Sequence, residues 1–112
     1  MKKLLILAAL VSDPVFAGSS SAGEVSALHF MRNGALLFTH SGTRKHLSTD
    51  QQCVTLQPTN WAIDGSTDLG KTQISGLLTA YSMGKEIVVS GTGYCESVAH
   101  AGRETVDYFY IK

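Results

Sequence analysis

The sequence predicts one small mainly-β domain with a single α-helix. Apolar runs rich in β-branched and aromatic residues recur along the chain, which is typical of strands. An Asn-Gly pair separates the first two runs, and this pair favours a tight hairpin. One later segment has the apolar spacing of an amphipathic helix. With 112 residues, the chain has the length of one domain.

Residues 1–17 have the features of a secretory signal peptide. Two lysines precede an apolar run over residues 4–11, and the small-residue pattern Val15-Phe16-Ala17 follows. The apolar run is far shorter than the roughly 20 residues of a membrane-spanning helix. We therefore expect cleavage after Ala17 and a secreted or periplasmic protein. Residues 18–23 are rich in Gly and Ser and are expected to be a flexible leader to a single domain over residues 24–112.

The domain begins with a predicted β-hairpin. The apolar runs 25–31 and 35–40 are its strands, and Asn33-Gly34 between them accepts the positive φ angles of a type I′ turn. A two-residue turn at this position places His29 opposite Phe38.

The middle of the chain consists of one polar stretch and two apolar ones. Residues 41–50 are polar and predict an exposed loop. Residues 52–56 predict a third strand, which Pro58 limits. The apolar patch 60–64 continues that strand after a bulge.

The helix is predicted after this patch, where apolar residues recur on one helical face. These residues are Ile74, Leu77, Leu78 and Tyr81. Asp68 or Thr72 can cap the first turn, and Gly84 can end the helix in the left-handed conformation.

Two further strands follow the helix. Residues 86–90 and 105–111 are strand-like, and the second run is apolar on both faces, which places it centrally in a sheet or against another subunit. Three strands, a helix and two strands are the element order of a small five-stranded OB-like barrel. An open α+β sheet with one covering helix is the alternative.

Cysteine usage and charge restrict the function classes. Cys53 and Cys95 are the two cysteines. In an oxidising compartment we expect them to form one disulfide, worth roughly 4 kcal/mol in the chain-entropy model. Nine basic and nine acidic residues leave the chain near neutral. The lack of a basic patch argues against nucleic acid as a partner, and the lack of a basic amphipathic helix argues against a membrane-surface role.

One stretch matches the P-loop pattern G-x-x-x-x-G-K-[ST]. Its defined positions are Gly65, Gly70, Lys71 and Thr72, and in true P-loops they hold phosphates and magnesium. We interpret the match as a decoy, because a nucleotide-binding fold needs helices on both faces of a parallel sheet and this chain has length for one helix. The ordinary interpretation is a Gly-rich loop that leads into a capped helix.

No residue pattern indicates catalysis, a metal or a cofactor. The serines lack a nucleophile-elbow motif, the carboxylates are not paired as in glycosidases, and the histidines lack a third zinc ligand nearby. We therefore expect no enzyme, no metal site and no cofactor. Trp61 and Tyr94 are the candidate ligand-binding residues, and with Tyr108 and Tyr110 they can form an aromatic platform for a sugar ring. Core packing is the commoner role of a single Trp.

The stretch between the two cysteines resembles one group of exported proteins. Cys53 on a strand is followed by Trp61, by a helix with Leu77-Leu78-Thr79-Ala80-Tyr81, and by Gly84-Lys85-Glu86-Ile87-Val88-Val89 before Cys95. This order is similar to the B subunits of bacterial AB-type toxins, or to uncharacterised exported proteins that share their barrel. The resemblance implies an OB fold, ring-shaped homo-oligomers and glycan binding. It carries over no individual sugar-binding residue.

The sequence thus predicts a non-enzymatic exported binding module. The resemblance favours a glycan as the ligand, and an edge strand offers a route to self-association. The alternative is a periplasmic inhibitor or accessory protein that docks on another protein by strand addition. A small hydrolase is a third, disfavoured hypothesis.

Overall fold

The computed structural model describes residues 18–46, 59–95 and 102–112. The strands are β1 (Ser19–Ser20), β2 (Val25–Phe30), β3 (Ala35–His40), β4 (Arg44–His46), β5 (Asn60–Asp64), β6 (Ile87–Cys95) and β7 (Glu104–Ile111), and the helix is α1 (Asp68–Met83). They form one sheet in the order β2-β3-β5-β7-β6-β1-β4. The predicted mainly-β class with one helix is confirmed over these residues.

The predicted closed five-stranded barrel is not confirmed. The sheet is open, and β2 and β4 are its edge strands. This arrangement corresponds to the alternative prediction of an open sheet with one helix. β7 is central, as its two apolar faces predict, because it pairs parallel with β5 and antiparallel with β6.

The β2–β3 hairpin forms where the sequence predicts it, but its register is different. His29 pairs with Leu37 instead of Phe38. Gly34, with a φ of 94°, ends a loop one residue longer than predicted, which is a common form of hairpin. Ala27 also has a positive φ, 51°, where the register of β2 shifts again. Each one-residue shift turns the following side chains to the other face of the sheet.

Residues 18–23 belong to the sheet and are not a flexible leader. Ser19 pairs with His46 of β4 on one side and with Ser90 of β6 on the other. Gly23 exchanges two backbone hydrogen bonds with Ile87. Composition was a poor guide here because small side chains also suit a strand that is closely packed between neighbours. The predicted loop over residues 41–50 also includes a strand, β4, which is formed by the long polar residues Arg44–His46.

The core lies between the inner face of the sheet and α1. Its buried residues are Val25, Leu36, Phe38, Trp61, Ile63, Leu77, Ala80, Ile87, Val89 and Val106. Alternate residues of β3 and β5 supply much of this cluster, because successive side chains of a strand point to opposite faces. On the predicted apolar face of α1, Leu77 is buried as expected, whereas Tyr81 is exposed.

The helix α1 begins with a different cap from those predicted and ends as predicted. Thr67 is the N-cap, and its hydroxyl oxygen accepts a hydrogen bond from the Gly70 N–H at 2.9 Å. Asp68 lies in the first turn, where its negative charge interacts favourably with the positive end of the helix dipole. Gly84 ends the helix with a φ of 67°, which a residue without Cβ adopts easily.

Some predictions fall outside the described residues. These are the signal peptide over residues 1–17, the strand over residues 52–56 and the position of Cys53. In the ranges that the structure describes, no helix is long and apolar enough to cross a membrane.

Candidate functional site

A buried ion pair joins β4 to β7. Arg44 Nη1 donates a hydrogen bond to Glu104 Oε1 at 2.6 Å, and the two side chains are 6 % and 0 % exposed. The other carboxylate oxygen, Oε2, accepts from the backbone N–H groups of Gly18 and Gly93, each at 2.9 Å. A buried charge is tolerated when it is paired and hydrogen-bonded in this way. We name Arg44, Glu104, Gly18, Gly93 and Trp61 the Arg–Glu cluster.

Trp61 is a packing residue of this cluster and not a ligand platform. Its side chain is 1 % exposed. The Arg44 guanidinium carbon lies 4.0 Å from the centroid of its ring, a distance at which the cation is attracted to the ring face. A sugar needs an exposed ring face, so the structure agrees with the packing role.

Glycines give the backbone access to the buried carboxylate. A Cβ atom on Gly18 or on Gly91 would overlap the side chain of Glu104. Glycine inside a strand often marks such a close approach. The glycines of β6 therefore serve the Arg–Glu cluster.

Exposed tyrosines lie on the outer face of the β6–β7 pair. Tyr108 and Tyr110 are 55 % and 53 % exposed, and they pair across the strands with Ser90 and Val88. Phe109 between them packs against the core, so the alternation of the strand places both tyrosines on the opposite face. We name Tyr108, Tyr110, Ser90 and Val88 the tyrosine face.

The predicted ligand residue Tyr94 lies further along β6. Burial alternates along this strand, and Thr92 and Tyr94 are on its more accessible side. Tyr94 is 57 % exposed, whereas Trp61 is in the core. The structure therefore does not bring the two predicted ligand residues together on one surface.

The tyrosine face combines apolar ring area with hydroxyl groups. Tyrosine rings stack on apolar surfaces, and their phenol groups donate and accept hydrogen bonds. Tyr108 and Tyr110 are two residues apart on one strand, which separates them by about 7 Å along the sheet. The hydroxyl of Ser90 lies on the same face.

The P-loop-like residues Gly65, Gly70, Lys71 and Thr72 form the connection from β5 into α1. The backbone N–H of Ser66 donates to Asp64 Oδ1 at 3.0 Å, and the Gly70 N–H is taken by the Thr67 cap. The Thr72 hydroxyl donates to the carbonyl oxygen of Asp68. These groups are thus engaged within the turn, beside a carboxylate that would repel phosphate. This geometry favours the interpretation as a decoy.

His40 is buried and His29 is exposed, so the two histidines do not share a face. His40 Nε2 lies 2.9 Å from the carbonyl oxygen of Ile87, which places the ring proton on Nε2. Burial lowers the pKa of His40 below its usual value, although backbone hydrogen bonds to Ile87 and Gly23 and the nearby charge of Glu86 act in the other direction. Among the described residues, no group of three His, Cys, Asp or Glu side chains is placed to hold a metal ion.

Cys95 ends β6 and is disulfide-bonded. Its predicted partner, Cys53, lies outside the described residues. The Cys53–Cys95 pairing therefore stays a prediction.

Sequence reasoning missed the Arg–Glu cluster. Arg44 falls in the stretch predicted as a loop, and Glu104 directly precedes the predicted last strand. The one available signal is the Gly91-x-Gly93 spacing directly after the predicted strand 86–90, since strand glycines mark places where another group approaches closely.

Comparison with known proteins gives no match to this chain, whether by family model, by curated sequence or by solved structure.

Proposed function

We propose that the protein is an exported, non-enzymatic binding module that holds a glycan on its tyrosine face. The observation that carries this proposal is the exposure of Tyr108 and Tyr110 by more than half on one face of β7. Aromatic side chains clustered on a protein surface are typical of interaction sites. Export follows from the signal-peptide pattern over residues 1–17.

The chemistry of the tyrosine face favours a carbohydrate as its ligand. None of its four side chains carries a charge at neutral pH, which fits a neutral ligand. A sugar ring offers an apolar C–H face for the tyrosine rings and hydroxyl groups for Ser90 and the phenols. Two adjacent rings suit an oligosaccharide better than a single sugar.

A glycan array tests this proposal. The protein from Gly18 to Lys112 is screened first, and the affinity of each glycan that binds is then measured by calorimetry. The double variant Tyr108→Ala/Tyr110→Ala is expected to bind at least about thirtyfold more weakly, because truncating aromatic anchors costs 2 kcal/mol or more at binding hot spots, roughly thirtyfold. Tyr108→Phe/Tyr110→Phe keeps the rings and is expected to retain most of the affinity.

Tyr81→Ala is the matched control. Tyr81 is on α1 and is 50 % exposed, so its removal takes a similar ring from the surface without touching the tyrosine face. Unchanged affinity in the double alanine variant, or an array without any bound glycan, would contradict the proposal.

A second candidate function is docking by strand addition at β2. Among the strands that the structure describes, β2 pairs only with β3, and Phe30 at its end is 65 % exposed. An edge strand with free backbone groups can accept a strand from a second copy or from another protein. Native mass spectrometry of the oxidised protein tests self-association: a closed ring supports it, and a strict monomer at high concentration contradicts it.

With this function we also propose that the sheet closes into the OB-like barrel expected from the sequence. The segment from Gly18 to Gly23 pairs with β6, while β2, which continues it, pairs with β3. A single bent first strand would then link both sides of the sheet, and the parallel β5–β7 pair is consistent with that topology. Slow amide exchange at both Gly23 and Ile87 is expected, and fast exchange at both would contradict closure.

A further inference from the structure

The Arg–Glu cluster contains the backbone nitrogen of Gly18. This nitrogen belongs to the peptide bond that the predicted signal-peptide cleavage breaks. Cleavage after Ala17 makes Gly18 the first residue of the mature protein. The Gly18 nitrogen lies 2.9 Å from Glu104 Oε2 in a buried contact. In the uncut chain this nitrogen is an uncharged peptide N–H group.

We propose that removal of the signal peptide completes the Arg–Glu cluster by turning the Gly18 nitrogen into a buried ammonium group paired with Glu104. Hydrolysis of the Ala17–Gly18 peptide bond consumes one water, leaves a carboxylate on Ala17 and leaves an amine on Gly18. At neutral pH this amine takes up a proton from solvent. The processing step thus changes the charge of a site in the fold.

Gly18 is held in place by contacts that do not depend on the residues before it. Its carbonyl oxygen accepts a hydrogen bond from the Gly91 N–H at 2.8 Å, and the next residue, Ser19, pairs with Ser90 of β6. A Cβ atom at position 18 would overlap Glu104 and Arg44. The new terminus therefore stays against the carboxylate after cleavage.

The carboxylate of Glu104 has an oxygen for each of two cations. Oε1 faces Arg44, whereas the donors to Oε2 in the uncut chain are the uncharged N–H groups of Gly18 and Gly93. The bond from the Gly18 N–H to this carboxylate is already charge-assisted, and an ammonium group at Gly18 adds a full positive charge that turns the contact into a second buried ion pair. The ring of Trp61 lies against Arg44 and attracts the positive charge of that guanidinium.

The consequence is a protein that becomes more stable when it is processed. The precursor lacks the ion pair between Gly18 and Glu104, so its folded state is less favoured while the chain is being exported. The mature chain gains this ion pair as soon as the leader is removed.

The first test compares proteins that differ only at the N-terminus. Mass spectrometry of the exported protein should give a chain that begins at Gly18, and another start site would overturn the proposal. Urea denaturation at neutral pH should then show that a chain extended by Ala17 unfolds more readily than the mature chain. We expect a rise of roughly tenfold in the unfolding equilibrium constant, because two close, buried charges couple more strongly than a charge and an uncharged N–H group.

Glu104→Gln in both chains is the matched control. If the ammonium acts through Glu104, the unfolding equilibrium constants of the extended and mature chains should differ by no more than about twofold when both carry Glu104→Gln. Equal stabilities of the two wild-type chains, or a difference that persists in the Gln background, would overturn the proposal.

A second readout does not require the Glu104 variant to fold. The native mature protein is treated with an amine-acylating reagent, and the labelled sites are located by mass spectrometry. Lys71 and Lys85 are exposed and serve as internal references. The Gly18 amine should be labelled more slowly than both lysines in native protein and readily after unfolding. Labelling as fast as Lys85 in native protein would show that the amine is not buried.

Discussion

Replacing Glu104 by Gln tests how far the stability of the domain depends on the Arg–Glu cluster. Glu and Gln side chains have nearly the same shape, but the amide of Gln has one acceptor oxygen and one NH₂ donor in place of two acceptor oxygens. The Glu104 carboxylate faces donors at both of its oxygens. Whichever way the amide turns, its NH₂ group therefore meets Arg44 or the backbone N–H groups of Gly18 and Gly93.

The expected loss in the free energy of unfolding is about 3–5 kcal/mol, the usual cost of removing one partner of a buried ion pair. This range applies because the two side chains are almost fully buried, whereas exposed ion pairs contribute only about 0–1 kcal/mol. Small domains have total stabilities of about 5–15 kcal/mol. The variant should thus be close to unfolding at moderate temperature.

Urea denaturation at pH 7 measures the loss, with fluorescence of Trp61 as the signal. Trp61 is the single Trp of the chain, and its ring lies against Arg44. Asp107→Asn is the control, because it removes the same charge from an exposed position of β7 and should change the stability by no more than about 0.5 kcal/mol. A loss for Glu104→Gln as small as that of the control would refute the reasoning.

Three further predictions concern single positions. Gly91→Ala should destabilise the domain by about 1–3 kcal/mol in the same urea assay, because its Cβ would overlap Glu104. Gly76→Ala should stabilise it by about 0.5–1 kcal/mol, since a Cβ there makes ordinary contact with Phe109 and alanine favours the helix; a loss would show that α1 is packed more tightly than described. His40 has a lowered pKa in the folded state, so the unfolded chain takes up its proton first and stability should fall as the pH drops below about 6.5. His40→Gln should flatten this dependence between pH 7 and pH 5, and an unchanged slope would assign it to other groups.

Local sequence signals predicted the elements whose cause is local. The helix and its end at Gly84 follow from apolar spacing and from the conformational freedom of glycine. The hairpin follows from Asn33-Gly34, but its register does not. A three-residue loop and the shift at Ala27 depend on how β2 fits β3, which no short motif determines.

Long-range contacts account for what the sequence did not reveal. The partners of Glu104 are distant in sequence: Gly18 is 86 residues away and Arg44 is 60 residues away. No local pattern around Glu104, Gly18 or Arg44 signals these contacts. Trp61 was ambiguous for a similar reason, because only the fold decides whether an aromatic ring is covered. The tyrosine face was predicted in part, since Tyr108 and Tyr110 belong to the aromatic platform expected from the sequence. Which of their neighbours share that face became clear only from the pairing of β7 with β6.

The most direct test of glycan binding is a titration of the mature protein with an array-selected glycan, observed through the NMR signals of its tyrosine rings. The account predicts that the ring signals of Tyr108 and Tyr110 shift together and saturate with one affinity, while those of Tyr81 stay unchanged. Ring signals of Tyr108 and Tyr110 that do not move while the glycan binds would place the ligand elsewhere and contradict the assignment of the tyrosine face.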